Sequence, residues 1–128
     1  MAIDLHIGAE SGFLHVMVTG EFSLEEAQRV FLEILEAVTR HNTAKILLDG
    51  RALTGEPSTI QRYLFGAFTA HAVVRYRIEH SASRALQFAF VLQEPVLDPQ
   101  RFGETVAVNR GMWLKVFDNP EDALAWLR

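Results

Sequence analysis

The run Lys45-Ile46-Leu47-Leu48-Asp49 constrains this chain more than any other segment. It is apolar without alternation, too short for a helix and bounded by turn-formers, so it predicts a central strand buried on both faces. A strand of that kind needs helices above and below its sheet. Nine residues beyond Asp49, Ser58-Thr59 open a helical pattern. The C-terminal ends of strands are where ligand sites of open α/β sheets gather, which singles out Asp49. A helix start concentrates unpaired backbone N–H groups and a partial positive charge, so Ser58 and Thr59 mark a candidate phospho-acceptor or anion site. Each residue also has a plain structural reading, Asp49 as an Asx-turn former before Gly50 and Ser58 as a helix cap worth about 1 kcal/mol.

The segments around this strand alternate in type. Ile3, Leu5 and Ile7, then Leu14, Val16 and Val18, repeat with the period of two expected of half-buried strands. With Gly8 to Gly12 as the link, matching apolar faces pairs Ile7 with Leu14, Leu5 with Val16 and Ile3 with Val18, and sets His6 opposite His15. Two histidines do not make a zinc site, since no third ligand is fixed by spacing. Ser23-Leu24-Glu25-Glu26 reads as a capping box before the helical stripe Ala27, Val30, Phe31, Ile34, Leu35 and Val38, which ends near His41-Asn42. Gly50 to Pro57 is a predicted loop.

Ser58-Thr59-Ile60-Gln61 is a second capping box, followed by Ile60, Leu64, Ala67 or Phe68, His71, Val74 and Ile78 in helical register. This stripe is the expected core face, with His71 a core or interface histidine. Tyr63, Phe65, Val73 and Tyr76 fall off it and are the candidate interface. A helix of about twenty residues spans roughly 30 Å and overhangs a sheet of five-residue strands, which favours self-association over deep burial. Ser81-Ala82-Ser83 breaks the pattern. Leu86 to Leu92 is a further strand, Asp98-Pro99 opens a third helix that Gly111 closes, Met112 to Phe117 is the last strand, and Asn119-Pro120 starts a short final helix. The expected fold is α/β, a single mixed sheet of about five strands packed with about four helices, in one domain over residues 1–128.

Charge and composition narrow the function. A formal net charge of −4 with only two lysines argues against nucleic acid as a partner. Arg62, Arg75, Arg77 and Arg84 make a locally basic stretch, read as a solvated helix face or a docking patch. Zero cysteines remove disulfides and thiolate chemistry and point to the cytoplasm. No stretch approaches the roughly 20 apolar residues of a membrane span, so membrane insertion is not expected. Walker, dinucleotide and nucleophile-elbow motifs are absent, and no histidine–carboxylate spacing suggests metal ligands, so no catalytic residue, cofactor or metal is assigned. A hydrolase or isomerase built on Asp49 and a histidine has no signature behind it.

The order of elements and the segment from Lys45 to Phe68 resemble the STAS domain, the family of anti-sigma-factor antagonists, and especially its SpoIIAA-like branch. In that family an aspartate ends the central strand and a phosphorylatable serine stands at the start of the next helix within Asp-Ser-Ser/Thr-Gly. Asp49 and Ser58-Thr59 occupy those places, while Pro57 replaces the aspartate and Ile60 the glycine. The resemblance implies a non-catalytic regulatory module that binds another protein, or itself as a homo-oligomer, with phosphorylation adding about −1.5 to −2 charges at the contact. An alternative implied by the similarity of this branch to Sec14-type domains is a small apolar-ligand or anion binding domain, with Phe65, Phe68, Phe88, Phe90 and Phe102 as candidate pocket residues.

Overall fold

A computed structural model of the chain describes residues 2–80 and 85–128. The break read at Ser81-Ala82-Ser83, and Arg84 of the basic stretch, lie outside the described residues. In chain order the elements are β1 (Asp4–Glu10), β2 (Phe13–Glu21), α1 (Leu24–His41), β3 (Lys45–Thr54), α2 (Thr59–Glu79), β4 (Gln87–Val91), α3 (Phe102–Asn109), β5 (Trp113–Phe117) and α4 (Pro120–Leu127). The five strands form one sheet in the order β1-β2-β3-β4-β5, antiparallel between β1 and β2 and parallel elsewhere. The mixed α/β sheet with four helices expected from the sequence is the fold observed.

β4 and the first half of β3, Ile46 to Leu48, are buried on both faces, as their unbroken apolar runs require. Ile46, Leu48, Phe88 and Phe90 point into the larger core with Phe31 and Ile34 of α1 and with Ala70 and Val73 of α2. Leu47, Ala89 and Val91 point the other way, onto Ala123 and Leu127 of α4. The sheet therefore carries three helices on one face and one on the other.

Three boundaries differ from the sequence expectation. The hairpin turns on Ser11-Gly12 alone, with Gly12 at φ +90, so Ile7 pairs with Val16, Leu5 with Val18 and His6 with Met17, while His15 faces Gly8. A two-residue turn keeps Ala9 and Glu10 in the ladder and preserves the apolar faces, whereas a loop from Gly8 forfeits those pairs. β3 does not stop at Asp49. It continues to Thr54 beside β2, with one extra residue accommodated between the pairs Met17–Asp49 and Thr19–Ala52. This bulge inverts the alternation, so Leu53 faces the same core as Leu48. α3 begins at Phe102, because Arg101 takes a left-handed backbone at φ 56 and separates the helix from Asp98-Pro99.

An acid–arginine pair engages the backbone just before β1 and another that of Val116 in β5. At the β1 end, Glu26 accepts the Ile3 N–H at 3.1 Å and Arg29 donates to the Ile3 carbonyl at 3.0 Å. Glu26 is thus drawn away from the reciprocal half of the capping box, although Ser23 still accepts the Glu26 N–H. At the β5 edge, Glu104 accepts the Val116 N–H at 2.6 Å and Arg101 donates to the Val116 carbonyl. Arg101 and Glu104 thereby satisfy one N–H and one carbonyl of the edge strand β5 that would otherwise be open to another strand.

α2 reaches α3 at Gly66, where an added Cβ would lie 2.6 Å from the Gly103 carbonyl oxygen. Gly66→Ala is expected to lower the unfolding free energy by about 1–3 kcal/mol through overpacking. Gly8, with nothing within 4 Å of an added Cβ, serves as the control. Chemical denaturation of both variants checks this, and equal stabilities would contradict the close approach.

Candidate functional site

Ser58 sits where the chain leaves the extended segment after β3 and enters α2. Its hydroxyl accepts the Gln61 N–H at 3.1 Å, and the Gln61 side chain accepts the Ser58 N–H at 2.9 Å. This is a complete capping box, and it satisfies two of the helix's unpaired donors. Ser58 and Thr59 are both exposed, and no acidic residue stands in the first turn of α2. The helix start therefore keeps its positive end open to an anion or a modifying group.

Asp49 is placed elsewhere. It shares the face of Leu47 and Val91, which pack on α4, whereas α2 belongs to the opposite face. Its carboxylate takes a two-pronged bond from Arg51, at 3.0 Å from Nε and 2.8 Å from the terminal nitrogen, and also accepts the Arg51 N–H at 3.1 Å. The Arg51 guanidinium, above all, holds the carboxyl below the usual carboxylate range. Asp49 is thus an ion-paired acid within β3, and the sheet separates it from Ser58. Among the described residues no hydrogen bond links the two.

The long apolar helix shows a different allocation of faces from the one expected. Val73 is buried, and Phe65 and Tyr76 are half-buried against the larger core. Of the four candidate interface residues only Tyr63 remains exposed, and Arg110 of α3 donates to its hydroxyl at 3.2 Å and stacks over its ring. The presumed core stripe faces outward instead: Ile60 is 65% exposed, Leu64 42%, Val74 39% and Ile78 74%, and His71 is exposed among them. The outward stripe has the cleaner helical spacing, while Phe65, Val73 and Tyr76 share their inward face with Gly66, Thr69 and Ala70, so periodicity of the large apolar residues alone selects the wrong face. The small side chains decide it, because Gly66, Thr69 and Ala70 let α2 press against α3 and the core. Arg62, from the basic stretch, is committed to the Val96 and Pro95 carbonyls at 2.8 and 2.9 Å.

A cavity of about 140 Å³ lies between the sheet and the three helices on its larger face, with Phe22, Phe31, Phe65, Phe90 and Leu53 among its walls. Of the candidate pocket phenylalanines, Phe65 and Phe90 line it. Phe88 is fully buried and Phe102 is 37% exposed on α3. Phe22 and Leu53 were not legible as pocket residues, since the bulge in β3 is what turns Leu53 inward. Among the described residues no three His, Asp or Glu side chains are grouped so as to hold a metal.

A mixed sheet of this order, three helices on one face and one on the other, is the SpoIIAA-like, STAS-type fold. The chain is similar to the crystal structure of an anti-sigma factor antagonist from Mycobacterium paratuberculosis, with a TM-score of 0.61 at 16% identity over 99% of this chain and 95% of that one. It is also similar to an uncharacterized protein with a SpoIIAA-like fold from Shewanella loihica PV-4, with a TM-score of 0.53 at 18% identity over 99% and 94% of the two chains. No family model matches the sequence, and no curated protein matches it.

Asp49→Asn is expected to cost about 1 kcal/mol at neutral pH, a modest value because Arg51 is 41% exposed. The native carboxyl titrates below its unfolded value, so its stabilisation is present above about pH 4 and is lost as pH falls through the native value. Unfolding free energies of the two proteins should therefore differ at pH 7 and converge toward pH 3. A constant difference across that range would contradict the ion pair.

Proposed function

We propose that this chain is a non-catalytic regulatory module that acts by binding protein, with the exposed start and outward face of α2 as the contact surface. The observation that carries this reading is the coincidence of an exposed capping serine and an exposed apolar stripe on one helix. The SpoIIAA-like fold supports it, since the M. paratuberculosis protein of the same fold is an anti-sigma factor antagonist. The partners are another regulatory protein and a second copy of the chain. The absence of cysteine suits the cytoplasm, where such a module would work as a single domain over residues 1–128.

Ser58 and Thr59 are the proposed acceptors of phosphate or an anion, and Asp49 has no direct part because the sheet stands between them. A phosphoryl group at Ser58 would be favoured by the helix dipole and would alter the charge of the contact surface without dismantling the helix. Ser58→Asp tests this cleanly, since aspartate is itself a good cap and the helix start survives. Partners recovered from a lysate with the parent chain and with Ser58→Asp should differ. The same partners at the same yield would remove the switch.

The cavity favours a second reading, a small apolar-ligand domain. At about 140 Å³ it compares with engineered cavities of about 150 Å³ that hold benzene, and it falls short of the roughly 300–1,000 Å³ that accepts a drug-sized ligand. The occupant would be a single ring or a short branched aliphatic group, not a whole lipid. Benzene at about a hundred times its dissociation constant should then stabilise the fold by about 2.7 kcal/mol. An unchanged melting temperature in saturating benzene would dismiss this reading.

A further inference from the structure

We infer that two copies of the chain pair through α2 in antiparallel register about a two-fold axis, with Ile60, Leu64, Ala67, His71, Val74 and Ile78 as the seam. This deepens the self-association reading above and rests on it.

The spacing of these residues alternates between four and three throughout, which is the a/d repeat of a coiled-coil seam. Ile60, Leu64, Val74 and Ile78 are four of the exposed large apolar residues of the described chain, and they lie on the side of α2 away from Gly66, Thr69, Ala70 and Val73. The seam is a palindrome. Turned end for end, it sets Ile60 against the second copy's Ile78, Leu64 against its Val74, and Ala67 against its His71. Ile60, Leu64, Val74 and Ile78 each meet a large apolar residue, and the imidazole meets Ala67, the smallest side chain of the seam. A parallel pair would stack His71 on His71 and Ala67 on Ala67, a clash at one level and a gap at the next.

Charge selects the same orientation. Arg75 and Arg77 are exposed and flank the C-terminal half of the seam, with Arg75 paired to Glu79 at 3.4 Å. In the antiparallel arrangement Arg75 lies beside the second copy's Gln61 and Arg77 beside its Tyr63, so the two arginine pairs sit at opposite ends. A parallel arrangement gathers all four at one end, where like charges oppose association. The seam runs about 27 Å, and its exposed side chains with Tyr63 offer about 500 Å² per copy, or about 1,000 Å² in all. That is the lower limit for a specific interface, so a dimer with a dissociation constant of about micromolar order is expected.

The described residues contain no cysteine, and the whole sequence has none, so engineered thiols report without background. Sedimentation velocity across about 1–200 µM first tests association, with Leu64→Glu/Ile78→Glu expected to weaken it at least tenfold while keeping the parent melting profile. Single variants Leu64→Cys and Val74→Cys are then oxidised separately and mixed. The antiparallel seam predicts disulfide-linked dimer in the mixture and little in either variant alone. A monomer across the range overturns both this inference and the self-association reading. Dimers that cross-link in each variant alone, or in no sample, or that ignore the glutamates, overturn the antiparallel seam while leaving self-association through another geometry or surface standing.

Discussion

Burial of β3 and β4 between two unequal helical layers is the constraint on which the rest of the molecule depends. Two adjacent strands without polar alternation must be covered on both sides, and each buried large side chain contributes about 1.5–3 kcal/mol. The larger layer takes Ile46, Leu48, Phe88 and Phe90, and the smaller takes Leu47, Ala89 and Val91. From this division follows the functional geography. Asp49 continues the parity of Leu47 and so belongs to the α4 face, where Arg51 neutralises it. Ser58 belongs to the other layer, at the head of α2. A pair nine residues apart in sequence is thus divided by the thickness of the sheet.

The larger layer is itself arranged around close approach. Gly66 on α2 meets Gly103 on α3, and Thr69 turns its hydroxyl back to the Gly66 carbonyl at 3.0 Å. Small residues on that face free the bulkier ones for the opposite side, which is why Ile60 and Ile78 stand in solvent. The two acid–arginine clips, Glu26 with Arg29 and Glu104 with Arg101, occupy the backbone of Ile3 and Val116 at the two ends of the sheet. On α2, by contrast, Ile60, Leu64, Val74 and Ile78 are left exposed along one side of the helix.

The order of elements was legible because each helix and strand carries its own period, and because Ser23, Ser58 and Asn119 announce helix starts that the structure confirms as caps. What escaped the sequence was parity and choice of face. A bulge of one residue at Gly50-Arg51 of β3 moves Leu53 inward, and its only mark is Gly50, which reads equally well as the start of a loop. The hairpin register shifts by two residues of one strand relative to the other with the apolar faces still matched, so pattern alone cannot fix it. On α2 the regular apolar stripe faces outward, and the inward face is chosen by Gly66, Thr69 and Ala70 making room, a tertiary effect. The cap at Ser58 was correctly located, while the partnership of Asp49 with Arg51 depended on a strand that continues past the point where it reads as ending.

The central claim is that α2 faces outward with its apolar seam and meets a protein surface there. Amide chemical shifts followed by NMR during serial dilution test this most directly, residue by residue. The account predicts concentration-dependent shifts concentrated on Ile60, Leu64, His71, Val74 and Ile78, with α4 and the β5 edge unchanged. Shifts confined to α4 or to the sheet edges, or none along α2 at any concentration, would contradict it.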